Sequence, residues 1–199
     1  PIDPEDVGRS YQSVIRVNSQ SGKGGVAYIM EADHGIEMPR RLQIEFSRVI
    51  QNHTDDEGTE VNSDDVFRLF ESTYLNQEKS IYEFVDYRTV PDPHASEIRN
   101  MSATIMESGK KISINGRGTG PIDSFIDSLT KHSGYKINLA GYHEHSIGQG
   151  SDTQAIAFIE LELNGRSATF GVGTDKNITK ASLKAIISAI NRSLNKEAH

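Results

Sequence analysis

The stretch Gly118-Thr119-Gly120-Pro121 has residue types that suit the binding of an anion. It falls where a strand-like segment gives way to a helix-like one. Glycine there lets a ligand approach the backbone, and proline suits the first helical position. The free N–H groups and dipole of a helix N-terminus favour an anion such as a carboxylate. From the residues alone, a tight structural turn is the commoner explanation. The third glycine and the βαβ context of a dinucleotide fingerprint are missing.

Two other stretches have spacings that resemble ligand sites. His143-Glu144-His145 places two imidazoles on the same side of a strand, a spacing that can ligate a metal, with Asp152 as a candidate third ligand. A surface pair of histidines is the simpler interpretation. Ser21-Gly22-Lys23-Gly24-Gly25 lacks the spacing of a phosphate loop, so we interpret it as a flexible turn or a contact loop.

The composition limits the classes of protein to which the chain can belong. Its 199 residues are 35% hydrophobic, which is enough for a packed core. The absence of cysteine excludes disulfide scaffolds and thiol chemistry, and it fits a reducing compartment. A net charge of −7 makes nucleic acid a poor partner, and no apolar run is long enough to predict a membrane span. The opening Pro1-Ile2-Asp3-Pro4 indicates a cut inside a longer protein.

The first part of the chain predicts a small helical unit over residues 15–76, preceded by a linker or arm over residues 1–14. Pro39 begins one helix, and Asn62 or Ser63 caps another. Each helix has apolar residues at helical spacing on one face: Leu42, Phe46, Val49 and Ile50 in the first, and Val66, Leu69, Phe70 and Tyr74 in the second. A charged stretch then ends in Val90-Pro91-Asp92-Pro93, where we place a domain boundary.

The rest of the chain contains an internal repeat. In each copy, strand-like segments lead to a Gly-x-Gly turn, at residues 116–120 and 171–173, and then to an amphipathic helix. A sheet with helices on one face, built from two similar halves, would bury both helical stripes. The predicted fold class is therefore α+β: a small helical subdomain over residues 1–90, then a pseudo-twofold domain of two βββα units over residues 91–199.

Several stretches resemble one known family. Residues 16–30, Asp33-His34-Gly35 and residues 39–47 are similar to the region that follows the catalytic barrel in 2-isopropylmalate synthases of the actinobacterial type. Three later stretches are similar to the leucine-binding regulatory domain of the same family: Gly118-Thr119-Gly120-Pro121, Tyr142-His143-Glu144-His145 and residues 178–183. The resemblance covers essentially the whole chain.

The resemblance implies a regulatory function. The family condenses acetyl-CoA with 2-oxoisovalerate in the first committed step of leucine synthesis. Its catalytic TIM barrel and divalent metal would lie outside this chain, because 199 residues cannot hold a barrel beside these units. We therefore expect an inactive fragment with no catalytic residue, metal ligand or cofactor. Residues 1–90 would be the linker subdomain, and residues 91–199 would pair with a twin, bind L-leucine and inhibit the barrel. The resemblance also implies a cytoplasmic homodimer.

The resemblance places the family's leucine pocket on nine residues of this chain. They are Gly118, Gly120, Ile122, Asp123, Leu139, Tyr142, Ser146, Thr153 and Ile178. The glycine turn and helix N-termini would hold the carboxylate of leucine, and the apolar members would hold its side chain.

Two alternatives remain open. Asp123, Ser146 and Thr153 stand where the family often has small apolar residues, which leaves open a dimerisation module with a vestigial pocket. The other is a self-contained metal enzyme that uses His143 and His145.

Overall fold

The computed structural model describes residues 23–58 and 60–197, which belong to two compact units. The first unit ends at Phe70 and the second begins at Glu71, earlier in the chain than the boundary predicted at residue 90. The arm predicted over residues 1–14 lies outside the described residues. Within the described part, no helix is long and apolar enough to cross a membrane.

Three helices make up the first unit: α1 (Lys23–His34), α2 (Arg40–Glu57) and α3 (Ser63–Phe70). The predicted apolar faces of α2 and α3 are largely buried, and the three helices contact one another. The rings of Phe46 and Phe70 meet edge to face, with 5.4 Å between their centroids. This aromatic contact joins α2 to α3 in the core of the unit.

Capping residues mark the end of α2 and the start of α3. Gly58 ends α2 in the left-handed conformation, with φ 64°, and its N–H bonds to the carbonyl of Thr54. At the start of α3, the N–H of Asp65 donates to Oδ1 of Asn62 at 2.9 Å. The N–H of Asn62 donates in return to Oδ2 of Asp65 at 3.2 Å. This reciprocal pair confirms Asn62 as the cap.

The second unit follows a βββα path twice after a short π-helical segment, Glu71–Leu75. The first half consists of β1 (Tyr82–Pro91), β2 (Arg99–Glu107), β3 (Lys110–Gly118) and α4 (Pro121–Ser133). The second half consists of β4 (Ile137–Ile147), β5 (Gln154–Leu163), β6 (Thr169–Asp175) and α5 (Ile178–Glu197). The predicted α+β class and βββα repeat are confirmed. The strands form two antiparallel sheets, β1-β2-β3 and β4-β5-β6, where the sequence predicted one.

Each sheet has an inner face toward the helix of its own half and an outer face on the other side. In the first sheet, Ala103 pairs with Tyr87 and with Ile114, and this row belongs to the inner face. In the second sheet, Ile159 pairs with Tyr142 and with Gly171 in the corresponding inner row. Because side chains alternate along a strand, the residues between these rows form the outer faces.

The glycines of the predicted Gly-x-Gly turns lie mainly inside strands. Gly171 and Gly173 belong to β6, and Gly116 belongs to β3. A Cβ at Gly171 would lie 2.2 Å from the carbonyl oxygen of Ala185 and 2.2 Å from the nitrogen of Ala189. Glycine is present here because the helix backbone lies directly on the strand, which corrects the turn prediction for the second copy.

One hydrophobic core joins the two halves, and α5 contacts both of them. Twelve residues of α5 are buried, and the helix packs on β5, β6 and β1. The carboxamide of Asn191 accepts a hydrogen bond from the N–H of Tyr82 at 3.0 Å and donates one to the carbonyl of Tyr82 at 2.8 Å. This pair of buried bonds satisfies the first residue of β1 from a helix of the other half.

Candidate ligand-binding site

The first group of predicted site residues lies where β3 passes into α4. Gly118 ends β3, and a Cβ there would be 2.8 Å from Cβ of Asp123. Gly120 is the N-cap of α4 in an extended conformation, and a Cβ at this position would meet no neighbouring atom within 4 Å. Gly118 is therefore required by helix packing, whereas Gly120 leaves open space in front of the helix N-terminus.

The side chains that follow this turn differ in their surroundings. Ile122 is half-buried and packs against the core, whereas Asp123 is exposed. The hydroxyl of Thr119 donates to Oδ2 of Asp123 at 2.8 Å. A carboxylate in the first turn of α4 interacts favourably with the helix dipole. Asp123 thus places negative charge at the position where the sequence predicts an anion site.

The second group centres on Tyr142, on the inner face of β4. Its hydroxyl lies 3.1 Å from Oγ of Ser182 and is hydrogen-bonded to the carboxylate of Glu144. Ser182 in turn donates to the carbonyl of Ile178 at 3.0 Å, one turn earlier in α5. Burial and the neighbouring Glu144 carboxylate raise the pKa of Tyr142, so its hydroxyl is protonated at neutral pH.

Two apolar site residues are exposed near this polar contact in the fold. Leu139 is 37% exposed on β4, and Ile178 is 39% exposed at the first position of α5. Single exposed apolar side chains are common on protein surfaces, and both positions are accessible to a ligand or a partner. Leu139 is on the inner face, because it pairs with Leu161 across the ladder.

Ser146 and Thr153 lie toward the other end of β4. Ser146 is an exposed residue that pairs with Ala155 of β5. Thr153 is exposed in the connection between these strands, and its hydroxyl donates to the carbonyl of Gly150 at 2.8 Å. The bond of Thr153 stabilises the connection itself and leaves its side chain no further partner among the described residues.

The structure joins part of the predicted site. Tyr142 and the first turn of α5, where Ile178 lies, are connected through Ser182. Within residues 23–58 and 60–197, no hydrogen bond connects the turn at Gly118–Asp123 with the group around Tyr142. The nine residues therefore do not form one hydrogen-bonded group, and whether all of them contact one ligand stays a prediction.

Ser182 and Glu144 are the polar groups that the sequence-based site leaves out. Both contact the hydroxyl of Tyr142. Each has a positional signal: Ser182 lies one helical turn after Ile178, and Glu144 lies two residues after Tyr142 on the same strand face. Same-face spacing from an already chosen residue would have identified both.

The histidine pair lacks the surroundings of a metal site. His143 is exposed, and the ring of His145 packs against Phe158 with 5.6 Å between centroids. In the described part of the chain, no group of three or more His, Cys, Asp or Glu side chains is placed to hold a metal ion. The interpretation of His143 and His145 as a metal site therefore has no support from the described residues.

Comparison with known proteins agrees with this architecture. Residues 60–194 match the model of the LeuA allosteric (dimerisation) domain. The chain belongs to this family. Residues 1–31 match a second model, the post-catalytic domain-like region of alpha-isopropylmalate synthase. The matched range thus includes all six strands, α4 and all but the last three residues of α5.

Proteins named 2-isopropylmalate synthase are similar over nearly the whole chain. The one from Rhodospirillum rubrum is 52% identical over 191 residues, and the one from Brucella suis is 49% identical over 192 residues. The protein from Mycobacterium leprae is 46% identical over 194 residues. The chain covers only 34%, 34% and 32% of these three proteins respectively, or about a third of their length.

Proposed function

We propose that this chain is the part of a 2-isopropylmalate synthase that binds L-leucine as a feedback inhibitor and pairs with a second copy. Under this proposal, the catalytic barrel and its divalent metal lie elsewhere in the full enzyme. The observation that carries the proposal is the contact between Tyr142 and Ser182 at the first turn of α5. It is found in a domain whose family is described as allosteric and dimerising.

The chemistry around Tyr142 suits a free amino acid. Glu144 offers a carboxylate near the Tyr142 hydroxyl, and the ammonium group of leucine needs such an acceptor. Leu139 and Ile178 offer apolar surface, and burial of one leucine side chain contributes about 1.5–3 kcal/mol. Because both residues are exposed in a single chain, we propose that a second copy closes the pocket over the bound leucine.

Calorimetric titration with L-leucine tests the proposal on the full chain. L-isoleucine and D-leucine are the controls for side-chain shape and for handedness. We expect saturable heat from L-leucine and little or none from D-leucine. The result that would overturn the proposal is the absence of heat and of thermal stabilisation in a preparation shown to be folded and dimeric.

A pair of matched variants locates the site. Tyr142→Phe removes the hydroxyl that contacts Ser182, and we expect leucine affinity to fall about tenfold, the loss of one hydrogen bond of about 1.4 kcal/mol. Tyr87→Phe makes the same chemical change on the inner face of the first sheet. Leucine affinity should be unchanged in Tyr87→Phe. Equal losses in the two variants would place the effect in general stability instead.

A dimerisation module with a vestigial pocket is the second candidate, and Asp123 favours it. Its carboxylate stands in the first turn of α4, where it would repel the carboxylate of an incoming amino acid. This candidate predicts a dimer that does not respond to leucine. It also predicts that Asp123→Ala creates or strengthens leucine binding, which the same titration measures.

A further inference from the structure

An open hollow of about 780 Å³ lies along the outer face of the first sheet and extends to Lys131 of α4, and we call it the outer hollow. Three cationic side chains line it, together with two carboxamides and a hydroxyl: Arg88, Arg117, Lys131, Asn100, Asn115 and Ser102. No carboxylate is among its lining residues. Its volume is within the range of small-molecule sites in proteins.

The strand register places these side chains in two neighbouring rows. Asn100 of β2 pairs with Val90 of β1 and with Arg117 of β3. Two residues further along β2, Ser102 pairs with Arg88 and with Asn115. Residues two apart on a strand share a face, so both rows present their side chains to the same side of the sheet.

The carboxylate of Asp92 orients two polar side chains of the outer hollow. Oδ2 of Asp92 accepts a hydrogen bond from Nδ2 of Asn100 at 3.1 Å and one from Nη2 of Arg117 at 3.2 Å. The side chain of Asp92 is only 12% exposed. The backbone N–H of His94 and the carboxamide of Asn100 hold the pKa of Asp92 below its usual range. Asp92 is therefore an ionised positioning residue for two groups of the hollow.

A second carboxylate, that of Asp127, orients the cationic group of Lys131. Oδ2 of Asp127 accepts from Nζ of Lys131 at 2.8 Å and from the backbone N–H of Arg117 at 2.8 Å. Arg88, by contrast, forms none of the ion pairs found in the described part of the chain. Its guanidinium is exposed on a face where the nearest row partner is the neutral Ser102. Among the described residues, the hollow thus combines two oriented cations with one that has no carboxylate partner.

We propose that the outer hollow binds a small metabolite through an oxyanion group, either a carboxylate or a phosphate. Arginine side chains and carboxamides donate several hydrogen bonds to such oxygens, and guanidinium groups bind them bidentately. Two of the three lining cations already have carboxylate partners, so Arg88 is the cation that an incoming oxyanion would pair with. The site is on the outer face of the first sheet, whereas Tyr142 is on the inner face of the second.

Titration of the full chain with inorganic phosphate and, separately, with citrate tests the proposal. Sodium chloride keeps the ionic strength constant, since salt screens exposed charges. We expect saturable changes in the backbone amide NMR signals of Asn100, Ser102 and Asn115 with at least one of the two anions. Stronger binding of phosphate would indicate a phosphorylated ligand, and stronger binding of citrate a polycarboxylate. The absence of saturable change with both anions, or changes confined to other regions, would overturn the proposal.

Two charge-matched variants separate a site from general attraction. Arg88→Gln removes the cation that has no carboxylate partner, and we expect affinity for the anion to fall about tenfold. Lys111→Gln makes the same charge change on the same outer face, opposite Met106 and outside the hollow. It should leave the affinity unchanged. Equal losses in both variants would mean that the anion responds only to net charge, and the proposal would be wrong.

Discussion

The second unit contains the same βββα path twice, and the two halves differ most on the outer faces of their sheets. In the first half, the outer face is polar and open, with Arg88 and Arg117 among its residues. In the second half, the centre of the outer face is apolar and buried: Ile156, Phe158 and Val172 are at most 2% exposed. One chain path thus supports an open polar outer face in one copy and a buried apolar one in the other.

The inner faces show what the two halves share. In both, glycines in the last strand let the helix lie directly on the sheet. A Cβ at Gly116 would be 2.4 Å from the carbonyl oxygen of Ser124, and one at Gly171 would be 2.2 Å from that of Ala185. The helices meet these glycines with small residues, serine in α4 and alanine in α5. Close strand–helix packing is the common requirement, while the outer face is free to differ.

The two helices also differ in how far their contacts extend. Ser128 of α4 bonds back to its own helix, because its hydroxyl donates to the carbonyl of Phe125 at 2.6 Å. In α5, the hydroxyl of Ser188 donates to the carbonyl of Tyr74 at 2.6 Å and accepts from the N–H of Val172 at 3.2 Å. Ser188 of α5 therefore bonds to an element outside its own half, whereas Ser128 of α4 bonds only within its helix.

The largest expected effect comes from filling the strand–helix contact. Gly171→Ala places a methyl group against the backbone of α5, and backbone cannot move aside as a flexible side chain can. We expect the free energy of unfolding to fall by about 3 kcal/mol or more. Urea unfolding followed by circular dichroism measures it.

Gly120→Ala is the matched control. Gly120 is extended and has open space around its Cβ position, so the cost should be about 1 kcal/mol or less, that of a poorer N-cap. Comparable losses in the two variants would contradict the view that close packing explains Gly171.

A smaller effect distinguishes the serines of the two helices. Ser188→Ala leaves the carbonyl of Tyr74 and the N–H of Val172 without this partner, and a buried unsatisfied group costs about 1–3 kcal/mol. Ser128→Ala removes only a bond within α4 and should change stability by about 0.5 kcal/mol or less. Both side chains are buried, so denaturant midpoints compare them directly. Similar losses would mean that the halves depend equally on their serines.

Periodicity explains why the fold class was predictable. Apolar residues recur at helical spacing in α2, α3, α4 and α5. Asn62 lies three residues before the aspartate with which it forms a capping box. Because the repeat appears twice, each copy supports the assignment of the other. The βββα architecture follows from these signals together with the need to bury both helical stripes.

Neither the strand β1 nor the contacts among the site residues could be predicted from the sequence. The inner residues Tyr82 and Phe84 alternate as in a strand, but the register shifts between Phe84 and Asp86, so Tyr87 continues the inner face out of phase. Charged outer residues on the same strand led to the prediction of a domain boundary at its end. The contact of Tyr142 with Ser182 joins residues 40 positions apart, and a hydrogen bond of that kind leaves no periodic signal in the chain.

The smallest expected effect is a pH dependence that the two halves share. In the second half, burial alone would raise the pKa of Asp175, but hydrogen bonds from Lys184 and from the N–H of Asn177 outweigh it and lower the pKa. In the first half, the hydrogen bond from Lys131 lowers the pKa of Asp127, against a smaller opposing effect of burial. A carboxyl group with a lowered pKa stabilises the folded state above its unfolded pKa of about 3.9, and this contribution is lost as pH falls through the folded pKa.

We therefore expect Asp175→Asn and Asp127→Asn each to reduce stability at pH 7 by less than about 1 kcal/mol, since both ion pairs are partly exposed to solvent. Each difference from the unsubstituted chain should shrink below pH 4, where the native carboxyl groups become protonated. Urea unfolding at pH 7, 5 and 3 measures the trend. A difference that persists unchanged at pH 3 would show that the aspartate acts through packing or hydrogen bonding in its protonated form. If that happened for Asp175 only, the two halves would differ in how this aspartate stabilises the fold.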